Sequence, residues 1–413
     1  MRRTGDAIAP ARLGRPFRWN LASVWTSNLG DGIALAAGPL LVASLTREPT
    51  LIAAAAIVQR LPTLLLGLLA GAMVDRVDRR SLVIAANVVR VVILLGLVGV
   101  IATGQVTITA VLVILFLVGV AEEFADSGSR AVLPMIVSKA DLGIGNARHM
   151  AGYLVANQLV GPPIGAFLFA LGMALPFGTQ AAAMLLGAWL FSRVELPRGG
   201  VRGSVQARVV ADIADGMRWI ARTPPVRTLA IVIFAFNVTW GAPWGILVYW
   251  AQERLGLGAV GFGLLTTATA VGGITSVLGY DWLERRIPLS TLMKVALSLE
   301  VVTHLALALT TIPWVAMAVM VVFGAYAFVW GSLSSAIRQR ATPTEYQGRV
   351  GSVYWFGLVV GLLCGQFLGG IIAGRWGAAA PFWFAFAGSA LTLALVWRSL
   401  DSIAHAGSAD ATE

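Results

Sequence analysis

Asp31, Arg60 and Arg90 each stand deep within a long apolar stretch of a 413-residue chain. An isolated charge in apolar surroundings is costly unless it is paired and hydrogen-bonded. If those stretches are helices, a rise of about 1.5 Å per residue places Asp31 ~15 Å, Arg60 ~14 Å and Arg90 ~12 Å from the nearer end. The acid is therefore expected to meet one of the two guanidinium groups. Two readings stand. In one, the pair forms and breaks, and Asp31 carries a proton when released. In the other, the pair is static and structural.

A second acidic group follows at Glu122, Glu123 and Asp126, with Arg130 after it. Glu122, Asp126 and Arg130 recur every fourth residue and so stack on one helix face, while Glu123 points elsewhere. Glu122 and Asp126 join Asp31 as candidates for proton coupling, with Arg60, Arg90 and Arg130 as their charge partners. The competing reading is a set of wet helix-end acids paired with Arg130. Further along, Lys294, Glu300 and His304 share one apolar stretch, and Glu300 and His304 are spaced to form a hydrogen bond. No cluster of His, Cys and carboxylates has metal-ligand spacing. No glycine-lysine phosphate loop and no Ser/His/Asp arrangement is present. The chain is therefore expected to be no enzyme, to use no cofactor or metal, and not to be driven by ATP.

Aromatic residues with a polar tip suit bulky, partly apolar ligands. Trp240 and Trp244 are four residues apart, as are Tyr326 and Trp330. With Asn28 and Asn237 they are the candidates for a cavity wall. Trp250 and Trp282, at the ends of apolar stretches, read as interfacial belt residues.

What must position these groups is set by composition. Residues are 58% hydrophobic and 12% charged, and mean hydropathy is +0.81. A soluble domain carries about 25% charged residues. The apolar runs are continuous and do not alternate, which excludes barrel strands and predicts membrane-spanning helices. Twelve are expected, at about 21–45, 50–74, 82–102, 107–127, 148–170, 174–193, 227–250, 259–283, 290–310, 314–336, 349–373 and 378–398, each boundary uncertain by about four residues. The fold class is all-α membrane protein, two six-helix bundles. Of the 30 Lys and Arg, 24 fall on one alternating set of loops and 3 on the other. The positive-inside bias then places both termini in the cytoplasm of a multi-pass plasma-membrane protein. The net charge of +10 is thus a topology signal and not a nucleic-acid footprint. The expected organisation is a tail at 1–20, bundles at 21–193 and 227–398, a basic linker at 194–226 containing a short amphipathic helix, and a tail at 399–413. The chain is expected to act as a monomer in the lipid bilayer.

The two halves are weakly self-similar. Gly161-Pro162-Pro163-Ile164-Gly165 in span five aligns with Gly365-Gln366-Phe367-Leu368-Gly369 in span eleven at an offset of 204, and Asn28 aligns with Asn237 at an offset of 209. Such duplication is expected of a transporter built around a central pathway.

After span two the chain reads Gly71-Ala72-Met73-Val74-Asp75-Arg76-Val77-Asp78-Arg79-Arg80. This resembles the signature loop of the major facilitator superfamily, with Gly71, Asp75, Arg76, Arg79 and Arg80 at its defining positions. Gly71 would permit close helix approach, Asp75 could cap a neighbouring helix, and the Arg cluster would hold the loop by ion pairs. Ser27-Asn28-Leu29-Gly30-Asp31-Gly32, Leu61-Pro62, the span-five motif Gly161, Pro162 and Gly165, and Gly348-Arg349-Val350-Gly351-Ser352 resemble the exporter branch that holds macrolide-efflux and enterobactin-exporter-like proteins. The sequence departs from the antiporter motif at Asn157, where Gly is usual, and Gln366 stands where Pro is common. The resemblance implies two bundles rocking around a cavity and expulsion of amphipathic small molecules in exchange for protons. It also implies a peripheral ninth span, where Glu300 and His304 would be a structural pair. Import of a sugar or peptide is the alternative; a membrane enzyme or lipid-handling protein is the third reading.

Overall fold

The structure is a computed structural model that describes residues 11–74, 77–196 and 209–404. The described residues are almost entirely helical. Ten helices are long and apolar enough to cross a bilayer, and two shorter apolar ones, Leu175–Phe191 and Ala380–Val396, complete twelve. Spans one to four are Gly14–Leu45, Pro49–Val74, Arg79–Ala102 and Ile108–Ile136. Span five runs over 142–171 in three pieces, Leu142–Gly152, a π-helical segment Tyr153–Val160, and Gly161–Leu171. Span six is Leu175–Phe191. Span seven, Pro224–Gly245, is followed by the short helix Leu247–Glu253. Spans eight to twelve are Ala259–Arg286, Leu289–Leu309, Pro313–Ala341, Gln347–Trp376 and Ala380–Val396.

Local chemistry explains many boundaries. Pro176, Pro224, Pro313 and Pro381 occupy first-turn positions, where a missing N–H costs nothing. Thr107 caps span four by accepting from the Ala110 amide at 3.3 Å. Gly377, with φ of 86°, ends span eleven in the left-handed conformation that glycine alone adopts without strain. Pro243 precedes the interruption of span seven at Ile246. Span one begins at Gly14, seven residues earlier than expected, because Leu13, Phe17 and Leu21 are buried against Leu133 and Val137.

The described residues of Met1–Thr46 and Val58–Ala207 pack as one compact unit, and those of Arg47–Ile57 and Arg208–Glu413 as another. The start of span two thus belongs to the second unit and its remainder to the first. In the first unit, spans one and five touch backbone to backbone: a Cβ at Gly161 would run into Gly32, and one at Gly165 into the Ile33 carbonyl. In the second, a Cβ at Gly365 would run into the Val238 carbonyl of span seven, and one at Gly369 into that of Ala242. Small residues at such crossings let bare helices gain the dispersion contacts that bind them within lipid.

An amphipathic helix, Val209–Arg222, precedes span seven. Its Trp219 stacks on Tyr346 at 5.6 Å, and Ile220 is buried with Val226 and Val350. The rest of the basic linker, 197–208, lies outside the described residues, as does the tail from 405 onward.

Candidate functional site

Span one brings Asp31 to a buried position where only 7% of its side chain is exposed. Span three places Arg90 opposite it, 1% exposed, and the two form an ion pair. Arg90 also reaches Glu122 of span four at 3.5 Å. Its second terminal nitrogen donates to Asn87 Oδ1 at 3.4 Å, and Gln180 of span six donates to Asp31 Oδ1 at 3.3 Å. Asp126, one turn beyond Glu122, lies close enough to act electrostatically on Asp31, Arg90 and Glu122. One guanidinium therefore serves two carboxylates. The remaining charge faces a cavity of about 70 Å³ lined by Asp31, Gln59, Arg60, Glu122, Asn157 and Gln180, among others.

This geometry chooses between the two partners expected for Asp31 and changes that of Arg130. Arg90, not Arg60, is the partner of Asp31, although Arg60 lines the same cavity. Arg130 does not pair with Glu122 or with the Asp126 carboxylate. It reaches Glu123 at 3.6 Å and donates to the Asp126 backbone carbonyl at 3.3 Å. Positions seven apart on a helix lie almost two full turns from each other and share a face. Glu123 is therefore not a stray acid: it is buried, and Ser127 donates to it at 3.4 Å.

The π-helical segment owes its position to the motif behind it. Pro162 and Pro163 lack the N–H groups that would bond carbonyls one turn earlier, and the helix accommodates this by widening over Tyr153–Val160. The widened turn carries Asn157 into the cavity wall, where Gln158 donates to it at 2.5 Å. Gln180, Asn87 and Gln59 complete a polar shell that motif reasoning missed. Their signal was nonetheless present, since each is an amide side chain within an otherwise apolar span.

The second unit holds a different cavity, of about 280 Å³, lined by Asn237, Trp240, Glu300, Phe323, Tyr326, Trp330 and Tyr354 among others. Trp240 stacks on Phe323 at 4.0 Å, and Phe323 meets Tyr326 edge-on at 5.5 Å. Trp244 packs against Trp240 at 4.9 Å and is not in this wall. Asn28 also stays out of both walls. Like Asn237, it donates to the carbonyl four residues earlier, at 2.8 Å in each case. The ninth span is not peripheral to the cavity: Glu300 stands in the wall and accepts from His304 Nε2 at 3.0 Å. Lys294 instead pairs with Asp401 at 2.8 Å. Trp250, expected at the lipid interface, is fully buried against Phe382, whereas Trp282 is 56% exposed beside Arg286.

Of the signature loop, Gly71 lies in the last turn of span two, and Asp75 and Arg76 lie outside the described residues. The described cap of span three comes from Asp78, whose carboxylate accepts from the Ser81 amide at 2.7 Å. A bond from the Ser81 hydroxyl, the bond from the Ser81 amide and the charge of Arg80 hold Asp78 below the ordinary carboxylate value, against the opposing effect of burial. Arg80 donates to the Ser192 carbonyl at the C-terminus of span six, where the helix dipole favours a cation. Arg79 contacts the Met135 sulfur of span four at 2.9 Å.

Comparison with known proteins agrees with this architecture. The model of the transmembrane secretion effector family matches residues 6–410. The multidrug efflux pump Tap of Mycolicibacterium fortuitum is 27% identical over 353 residues, covering 81% of this chain and 83% of Tap. An uncharacterized MFS-type transporter of Mycobacterium tuberculosis is 30% identical over 244 residues, covering 53% of this chain and 54% of its own length. Among solved structures, a bacterial homologue of the iron transporter ferroportin in its inward-facing state superposes with a TM-score of 0.73 at 17% identity, covering 94% of this chain and 99% of that one. The D-xylose–proton symporter superposes with a TM-score of 0.71 at 14% identity, covering 92% and 96%. Both show the shared fold. The twelve apolar helices, the glycine-packed crossings and the family match together place this chain in the transmembrane secretion effector family of major facilitator transporters, which move small molecules across membranes and are not enzymes.

Proposed function

We propose that this transporter exports small amphipathic compounds by alternating access, in exchange for protons bound at the Asp31–Arg90–Glu122 network. The carrying observation is that network: two carboxylates share one buried guanidinium at the edge of a cavity. Asp31 and Glu122 together with Arg90 carry one net negative charge, and a single proton neutralises the set. A largely buried ionic set that changes charge by one alters its own desolvation cost, which lets proton binding bias one conformation over another. The 27% identity with the multidrug efflux pump Tap supports export of drug-like solutes, and the aromatic wall of the second cavity suits such solutes. Likeness to the D-xylose–proton symporter is one of fold and adds nothing in favour of sugar import. On this reading the protein works as a monomer in the plasma membrane, with both termini in the cytoplasm.

The test is transport into proteoliposomes under an imposed pH gradient, with an amphipathic fluorescent dye as cargo. Asp31→Asn and Glu122→Gln are expected to abolish gradient-driven accumulation while dye exchange without a gradient persists. Accumulation that keeps its full pH response in both variants would remove the network from coupling.

A further inference from the structure

The second cavity combines features that the proton network does not use. Glu300 is the one acidic residue in its wall, and no Lys or Arg lines it. The side chain of Glu300 is 11% exposed, and that of His304 is fully buried. His304 Nε2 lies 3.0 Å from the carboxylate, while its Nδ1 is buried with no hydrogen-bond partner. That arrangement fits the neutral ring with the proton on Nε2, since a charged ring would bury a second N–H with nothing to accept it. The pair then keeps the single negative charge of the carboxylate. The Tyr326 hydroxyl of span ten faces Glu300, with Thr303 of span nine beside it. Arg338 sits over the Tyr354 ring at 4.6 Å, three turns along span ten from Tyr326 and so about 18 Å away by helix rise.

Around this charge stand aromatic rings from three other spans, Tyr354 of span eleven among them. Trp240 of span seven lies 6.2 Å from His304 and stacks on Phe323, while Tyr326 and Trp330 of span ten complete the wall. A carboxylate held by a neutral donor and flanked by aromatic rings attracts a weakly hydrated organic cation, through charge pairing and cation–π contact. A cavity of about 280 Å³ has room for a compact one.

We infer that the Glu300 cavity is a binding site for organic cations bearing an aromatic group, with Glu300 as counter-ion and Trp240, Tyr326 and Trp330 as the ring wall. This rests on the export reading for its biological use, but not for its test. The probes are benzyltrimethylammonium and its uncharged carbon isostere neopentylbenzene, titrated by calorimetry into the full-length protein in detergent with no gradient present. Failure of proton coupling at Asp31 therefore leaves the outcome unchanged. The parent is expected to bind the cation about tenfold or more tighter than the isostere, and Glu300→Gln to erase that preference. Equal affinity for the two probes in the parent, or an undiminished preference in Glu300→Gln, overturns the site. Should Glu300→Gln fail to yield monodisperse protein, Trp330→Leu decides. It must weaken the cation several-fold more than the isostere, and equal weakening of both rejects the cation role.

Discussion

Gly161 and Gly165 press span five onto Gly32 and Ile33 of span one. In the second unit, Gly365 and Gly369 press span eleven onto Val238 and Ala242 of span seven. The frame is thus repeated, but the interiors built on it differ. The first unit buries an ion pair, Asp31 and Arg90, with the partly exposed Glu122 beside it and amides from Asn87 and Gln180. The second buries rings around one carboxylate. The helices diverge as well. Pro162 and Pro163 accompany a π-helical turn in span five, whereas Gln366 and Phe367 leave span eleven a continuous α-helix over Gln347–Trp376. The residues that set helix distance recur in both units, whereas the cavities beside them differ in chemistry.

The sharpest way to break this contrast is to unbalance the ions. Arg90→Leu leaves Asp31 buried and unpaired and is expected to cost about 3–5 kcal/mol, read as a large drop in thermal midpoint in detergent. Adding Asp31→Asn to Arg90→Leu should recover part of the loss, as expected for two residues in contact. The second-unit counterpart, Tyr326→Phe, is expected to cost no more than about 1.5 kcal/mol. Similar losses from Arg90→Leu and Tyr326→Phe would mean that the units do not differ in kind.

The shared frame is probed by paired glycine changes. Gly165→Leu and Gly369→Leu should each lose about 1–3 kcal/mol or more, because the added side chain meets backbone that cannot move aside. A large effect in one unit alone would deny the repeat at the level of packing. A smaller effect concerns the widened turn. Replacing Pro162 and Pro163 with Gln and Phe, the residues of span eleven, should raise amide protection across 153–160 in hydrogen-exchange mass spectrometry. Unchanged exchange would mean that the prolines are not its cause.

The smallest expected effect lies in the loop after span two. Asp78→Ala removes the cap on Ser81 and should lower stability by about 1 kcal/mol. The folded protein holds Asp78 below its ordinary value, so the cap's contribution is fully present above about pH 4 and is lost as pH falls through the depressed folded-state value. The gap between parent and variant should therefore close in acid, as read from denaturation midpoints below pH 4. A gap that stays constant there would assign the effect to helix propensity and not to the carboxylate.

The twelve spans could be read from the chain alone because lipid leaves the backbone few choices. A long apolar run must satisfy its own hydrogen bonds, so composition and length decide the helix. The glycine motifs were legible for a similar reason, since close helix approach demands a missing side chain whatever surrounds it. The choice of partners was not written along the chain. Asp31 had two guanidinium groups at comparable depth, and only the rotation of span three decided for Arg90. Arg130 is spaced to meet Asp126 and shares a face with Glu123 two turns back as well, and only side-chain packing chose Glu123. Glu300 read as a peripheral structural acid until the packing of spans seven, nine and ten set it in an aromatic wall. Helical periodicity fixes which residues share a face, whereas the rotation of each helix about its axis depends on every neighbour it packs against. That rotation is a tertiary quantity, and here it determined which charges meet and which cavity each one lines.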